Sequence, residues 1–181
     1  SEKLRDFTYA ELFSALTIAL GFISIPLPIS PVPISGISLG IMLAGSVLTP
    51  RKAMYSVMTI IMPGAIGLPV FSGFTGGLGV LFGPRGGYYF GFMIGAAVIA
   101  YLRGENNFMP RLLAANVFGG IVIVYLFAVP WLAFVTGMDL QQALVAGALP
   151  FMIGDCLKAA TASMLAVVLT KHVTIFRGKN V

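Results

Sequence analysis

Val117-Phe-Gly-Gly-Ile-Val-Ile-Val-Tyr-Leu-Phe-Ala-Val129 runs for thirteen residues without a charge and without polar–apolar alternation. A barrel strand would alternate with period two, and a helix facing water would keep one polar side. This stretch is apolar on every face, so it reads as a helix in lipid. Ile94 to Leu102 has the same character. The whole chain agrees: of 181 residues, 58% are hydrophobic and 9% charged, with mean hydropathy +0.98. A soluble domain carries ~25% charged residues, so this inventory cannot make a water-exposed surface. The fold class that follows is an all-α integral membrane protein.

Outward from that segment, apolar runs bounded by charged or Gly/Pro-rich turns predict helices over about 8–25, 36–48, 53–68, 87–102, 112–136 and 150–170. Each crossing needs ~20 apolar residues, so 1–181 is filled by one membrane domain, a six-transmembrane-helix bundle. The first apolar run lacks a small-residue cleavage site and reads as a helix that stays. After it comes Pro26-Leu-Pro-Ile-Ser-Pro-Val-Pro33-Ile-Ser-Gly36. Prolines lack the N–H and fix φ, so this segment must be an extended loop. The helix that follows, 36–48, reaches only ~20 Å against a hydrocarbon core of ~30 Å. The loop is therefore expected to dip to membrane depth, where protein or a water-filled cavity must cover its backbone. A loop of this kind beside a short helix builds a pocket. Pro63-Gly64 is expected to kink the third helix.

The formal charge of +5 could suggest a nucleic-acid partner, but its placement argues for topology. With a cytoplasmic N-terminus, six crossings put nine of the eleven basic residues inside: Lys3, Arg5, Arg51, Lys52, Arg103, Arg111, Lys171, Arg177 and Lys179. The positive-inside rule thus selects N-in/C-in, and no nucleic acid is expected. Trp131 then falls ~29 Å along the fifth helix, at the outer interface where Trp is favoured. Only Arg85 remains outside, and Lys158 lies within a helix.

Asp155 and Lys158 are three apart and share one face of the last helix, continued by the small Ala159 and Ala162. Charges inside a membrane are costly and usually mark a ligand or ion path. A neutralised ion pair tying helices together is the plainer reading, and the two do not exclude each other. Cys156 is rotated ~100° away and reads as a packing residue. Its being the single cysteine rules out an internal disulfide, and no metal-ligand spacing or cofactor motif is present. Asn116 is either a helix-to-helix bridge or a ligand contact. Arg85, among glycines and before Tyr88 and Tyr89, is either a headgroup arginine or a carboxylate-binding arginine at a pocket mouth. Gly91 and Gly95 form a close-packing face, whereas Gly73 to Gly83 lie in a loop able to approach a ligand. Ala15 and Ala19 put two small side chains on one face of the first helix, for bundle packing or for a partner helix. His172 is expected to be solvated.

Together these segments resemble the BioY family, the biotin-specific substrate-binding components of energy-coupling-factor (ECF) transporters. The matching pieces are Pro31-Val-Pro-Ile34-Ser-Gly36 with Leu39-Gly40, Gly67-Leu-Pro-Val-Phe71 with its glycine loop, Gly83-Pro-Arg-Gly-Gly-Tyr88 with Gly91-Phe92, and Gly154-Asp155-Cys-Leu-Lys158. They stand in family order over nearly the whole chain. The resemblance implies a six-helix bundle with an outward-facing pocket for biotin, closed by the first loop and lined from the fourth to sixth helices. It implies a partner module, a transmembrane coupling protein with two ATPase subunits, in the plasma membrane of a prokaryote. Ala15 and Ala19 match the family's docking motif. Arg85 departs from the family pattern, in which a smaller residue such as Thr is common.

Biotin fits the residue chemistry. Asp155 can accept from the ureido N–H groups, and Lys158 can donate to the ureido carbonyl or anchor Asp155. Phe71, Phe74, Tyr88 and Tyr89 can cover the apolar rings, with Gly73 and Ile34 in the covering loops. The competing class is a self-sufficient carrier or channel for a small carboxylate-bearing molecule, which should show internal repeats with paired broken helices. No duplication is visible between the halves. An intramembrane enzyme would need a nucleophile–base set, and none is recognisable, so catalysis is not expected.

Overall fold

The computed structural model describes residues 2–172. Arg177 and Lys179 of the basic tail lie outside the described residues. In chain order come α1 (Glu2–Gly21), β1 (Ser24–Ile25), β2 (Ile34–Ser35), α2 (Ile37–Val47), α3 (Pro50–Ala65) and a single turn α4 (Leu78–Leu81). Then follow α5 (Gly86–Leu102), α6 (Met109–Val117), α7 (Ile123–Thr136), α8 (Leu140–Gly147) and α9 (Met152–His172). A π-helical segment, Phe118–Val122, joins α6 to α7, and a 3-10 turn, Leu149–Phe151, joins α8 to α9. Among the described residues, two continuous stretches are long and apolar enough to cross a membrane, Met109–Thr136 and Leu140–His172, and Ile37–Val47 and Gly86–Leu102 are shorter apolar helices.

Several boundaries differ from the expected ones, each for a local reason. The first helix starts at Glu2 instead of residue 8. Its charged leader is made of good helix formers, and Asp6 is held by Lys52 of α3 at 2.8 Å. It stops at Gly21, and Ser24 and Ile25, expected to be helical, pair with Ser35 and Ile34. The third helix begins at Pro50, in the first turn where a missing N–H costs nothing, and ends at Ala65, two residues past Pro63. The stretch 137–149, expected to be a connection, contains α8. Its start is set by a capping box between Asp139 and Gln142. The final helix begins at Met152 instead of 150, which puts Asp155 in its first turn.

The eleven-residue α2 sits in the middle of the bundle, against α1, α3, α5 and α9. Nine of its residues, from Ile37 to Val47, are buried. A helix enclosed in this way can be shorter than the bilayer, because its ends meet protein. Close approach is made possible by missing side chains. A Cβ at Gly95 would stand 2.3 Å from the Gly119 carbonyl oxygen, and one at Gly91 would stand 2.9 Å from the Val124 backbone. The glycine face of α5 therefore packs on the π segment and α7.

The basic turns gather at one end of the bundle. Arg103 donates to the carbonyls of Val47 and Leu48 at the end of α2, and Arg111 donates to the Leu102 carbonyl. Asn116 is fully buried and bridges three helices. Its amide donates to Ser46 Oγ of α2 at 2.8 Å, to Ser163 Oγ of α9 at 2.9 Å, and to the Leu112 carbonyl. Ser46 and Ser163 pass the chain on to carbonyls of their own helices.

Two outcomes test this packing. Gly95→Val should cost about 1–3 kcal/mol through overpacking and lower the thermal midpoint in detergent by several degrees. Gly79→Ala, where a Cβ meets nothing within 4 Å, should leave the midpoint in place. Asn116→Ala should lower the midpoint through the loss of about 1–2 kcal/mol of interhelical bonding, with ligand affinity changed by less than about threefold.

Candidate ligand site

At the end of the bundle away from the basic turns, the N-terminal ends of α2, α5, α7 and α9 converge around a cavity. Its lining includes Val32 and Pro33 of the proline-rich loop, Tyr88, Tyr89 and Phe92 of α5, Tyr125 of α7, Phe151 of the 3-10 turn, and Asp155 and Lys158 of α9. The empty space is about 530 Å³, counting the part open to solvent. Most of the wall is aromatic or aliphatic, with polar groups confined to a few positions. That is the usual make-up of a small-molecule site.

Asp155 anchors the polar part. Being in the first turn of α9, its carboxylate sits where the helix dipole favours negative charge. Tyr125 donates its hydroxyl to Oδ2, and Lys158 approaches Oδ1 at 3.4 Å. Two oxygens with two occupied positions leave acceptor capacity for a ligand. Lys158 also donates to the Ser35 carbonyl at 2.7 Å and to Ser38 Oγ at 2.9 Å. The pair therefore has both functions considered from sequence: it ties α9 to the loop before α2, and it faces a cavity.

A second polar node lies across the cavity at Ser72. Its hydroxyl donates to Ser35 Oγ at 2.9 Å, its carbonyl accepts from Arg85 Nη1 at 3.1 Å, and its N–H donates to Tyr89 Oη at 3.1 Å. Tyr88 donates to the Gly147 carbonyl, which fixes α5 against the end of α8. Gly73 and Phe74 both have positive φ, 73° and 61°. Phe74 stacks on Phe22 at 4.1 Å, and the Gly73 N–H donates to the Gly21 carbonyl. This turn closes over the end of α1.

The sequence-predicted residues thus divide. Asp155, Lys158, Arg85, Tyr88 and Tyr89 meet at the cavity. Gly73 and Phe74 line an adjoining outer groove, which Arg85 also borders. Phe71 is fully buried, packed on Tyr89 and against Gly64, so it supports the wall from behind. Ile34 pairs with Ile25 in the small sheet and Asn116 bridges helices, and neither lines the cavity. Tyr125, Ser35, Ser38 and Ser72 were not singled out from sequence. Tyr125 could have been noticed as a lone phenol in an apolar run, but three scattered serines carry no sequence signal. Ala15 and Ala19 are exposed on α1, beside Leu12 and Leu16. The α1 residues packed inside are Ala10, Phe13, Ser14, Thr17 and Gly21.

The geometry can be set beside known proteins. The family model described as "BioY family" matches residues 1–175. The biotin transporter BioY of Rhizobium etli is 38% identical over 170 residues, covering 89% of this chain and 90% of that protein. Biotin transporter BioY of Thermotoga maritima is 38% identical over 168 residues, covering 93% and 97%. A solved structure, the crystal structure at 2.1 Å of the S-component for biotin from an ECF-type ABC transporter, superposes with a TM-score of 0.87 at 31% identity, covering 94% of this chain and 93% of that one. A match over nearly the full length, at such identity and with the same helical arrangement, leaves one conclusion: the chain belongs to the BioY family.

Proposed function

We propose that this chain is the biotin-binding S component of an ECF-type importer in the plasma membrane of a prokaryote. It takes biotin from the outer side and passes it inward with a transmembrane coupling protein and two ATPase subunits. The observation that carries the reading is Asp155, a carboxylate at the edge of an apolar cavity. It is held by Tyr125 and Lys158 and retains acceptor capacity. The ureido group of biotin offers two N–H donors, and its fused rings match a wall of Tyr88, Tyr89, Phe92 and Phe151. Arg85, between the cavity and the outer groove, has unused guanidinium donors for the carboxylate of the side chain. Relatives bearing the name biotin transporter support the same ligand.

Six crossings, with α6–α7 and α8–α9 each counted as one, suit an N-in/C-in topology. The basic turns at Arg51, Lys52, Arg103 and Arg111 then face the cytoplasm, and the cavity faces outward. The exposed strip of Leu12, Ala15, Leu16 and Ala19 on α1 is the surface offered to the coupling protein, with small side chains admitting a close helix. Energy for concentrative transport would come from that partner module.

Calorimetric titration of the purified protein with biotin tests the site. Asp155→Asn should weaken binding by about a hundredfold or more, because a charged acceptor is lost from a desolvated pocket, while the circular dichroism spectrum stays helical. Unchanged affinity would remove Asp155 from the site. Proteoliposomes containing this chain alone should bind biotin without accumulating it. Sustained concentrative uptake without an ATPase would instead identify a self-sufficient carrier.

A further inference from the structure

Resting on the biotin-site reading, we infer that the outer groove beside the cavity is a second subsite, which takes a chain joined to biotin through its carboxyl group. The protein then accepts biotin amide-linked to a lysine side chain as well as free biotin. Cavity and groove are neighbours, because Pro33, Ser72 and Arg85 line both. With the ureido head at Asp155 and the carboxylate at Arg85, the last atoms of biotin stand at that shared border. Were Arg85 walled in, an added chain would have no room. Instead Arg85 also borders a groove of about 900 Å³, counting the part open to solvent. Small-molecule sites span roughly 300–1,000 Å³.

The groove has a fixed aromatic wall. Phe22 and Phe74 stack with ring centroids 4.1 Å apart and planes 10° from parallel. Phe74 holds a φ of 61°, which is uncommon for any residue but glycine. Such backbone persists where its surroundings over-determine it, and it clusters at ligand sites. Here the surroundings are explicit. The Gly73 N–H donates to the Gly21 carbonyl at 3.1 Å, the Phe71 N–H to the Thr75 carbonyl at 2.9 Å, and the Thr75 hydroxyl to the Ser72 carbonyl at 2.9 Å. The turn therefore presents an exposed ring to the groove and not to the cavity. The methylenes of a lysine side chain suit that ring and the nearby Pro26 and Leu27, and the hydroxyls of Ser24 and Ser30 suit its polar end. Arg85 serves both ligands. A guanidinium has five N–H donors, and the Ser72 carbonyl takes one, so a free carboxylate or an amide carbonyl can accept from the rest. Arg85 is only half-buried, and an ion pair in such a place is worth at most roughly fivefold in affinity. Exchanging carboxylate for amide therefore costs little.

Calorimetric titrations of the full-length protein in detergent, with biotin and with Nε-biotinyl-lysine, test the subsite. Biotinyl-lysine should bind within about tenfold of biotin. Pro26→Trp places a bulky ring in the groove from an exposed position. It should weaken biotinyl-lysine by about tenfold or more and biotin by less than about threefold. Phe74→Gly removes the aromatic wall where glycine adopts positive φ freely. It should weaken biotinyl-lysine about threefold more than it weakens biotin, and it stands in if Pro26→Trp fails to fold. Tight biotin binding with biotinyl-lysine weaker by about a thousandfold would overturn the subsite and leave the biotin reading intact. Equal effects of the substitutions on the two ligands would place the added chain in water, and would overturn it as well. Binding of neither ligand would remove the biotin reading, and the subsite with it.

Discussion

The structure depends on how an eleven-residue helix and a proline-broken loop keep their polar backbone covered within a bundle of apolar helices. A backbone N–H or C=O left unpaired in hydrocarbon is costly, and α2 with its preceding loop cannot satisfy all its groups internally. The solution is enclosure. α1, α3, α5 and α9 surround α2, Arg103 covers carbonyls at its end, and a two-residue ladder with Lys158 ties down the loop ahead of its start. Glycines on α5 and in the π segment let the surrounding helices come close enough to close that shell.

Enclosing a short helix leaves space beside its start, and the cavity occupies that space. The loop that covers α2 is also a wall of the cavity, so Lys158 and Ser35 belong to both the fold and the site. This explains why buried charge is tolerated at the start of α9. Asp155 and Lys158 are joined to each other and to neutral partners from α7, the end of the loop and the start of α2. An ion pair alone is weak support for stability, but this one also supplies hydrogen bonds to Ser35 and Ser38 at the end of the loop.

Much of this was legible in the sequence because lipid imposes strong patterns. Apolar runs marked the helices, four prolines marked the loop, and paired charges three residues apart marked the start of α9 as chemically unusual. The failures have equally physical causes. Hydropathy could not find the beginning of α1, because a helix extends into water when its charged residues find partners, as Asp6 does in Lys52. It also overlooked α8, whose boundary is written in the capping pair Asp139 and Gln142. For Asn116 the sequence left a helix bridge and a ligand contact both open, and the fold supplies the bridge through Ser46 and Ser163. Ser35, Ser38 and Ser72 were invisible for the reverse reason: each acquires its role from a partner distant in sequence.

The π-helical segment between α6 and α7 has a further consequence. An extra residue per turn at Phe118–Val122 shifts the angular phase of everything after it. Asn116 below the segment points to α2 and α9, while Tyr125 above it reaches Asp155. Asn116 and Tyr125 thus both reach α9, at Ser163 and Asp155, although nine residues of regular α-helix would set them on opposite faces. Were the segment to relax into ordinary α-helix, the phenol would swing off the carboxylate even if the inner half stayed still. The place of the Tyr125 phenol is therefore set in part by helical phase, a property of the backbone that replacement of no single side chain would reveal.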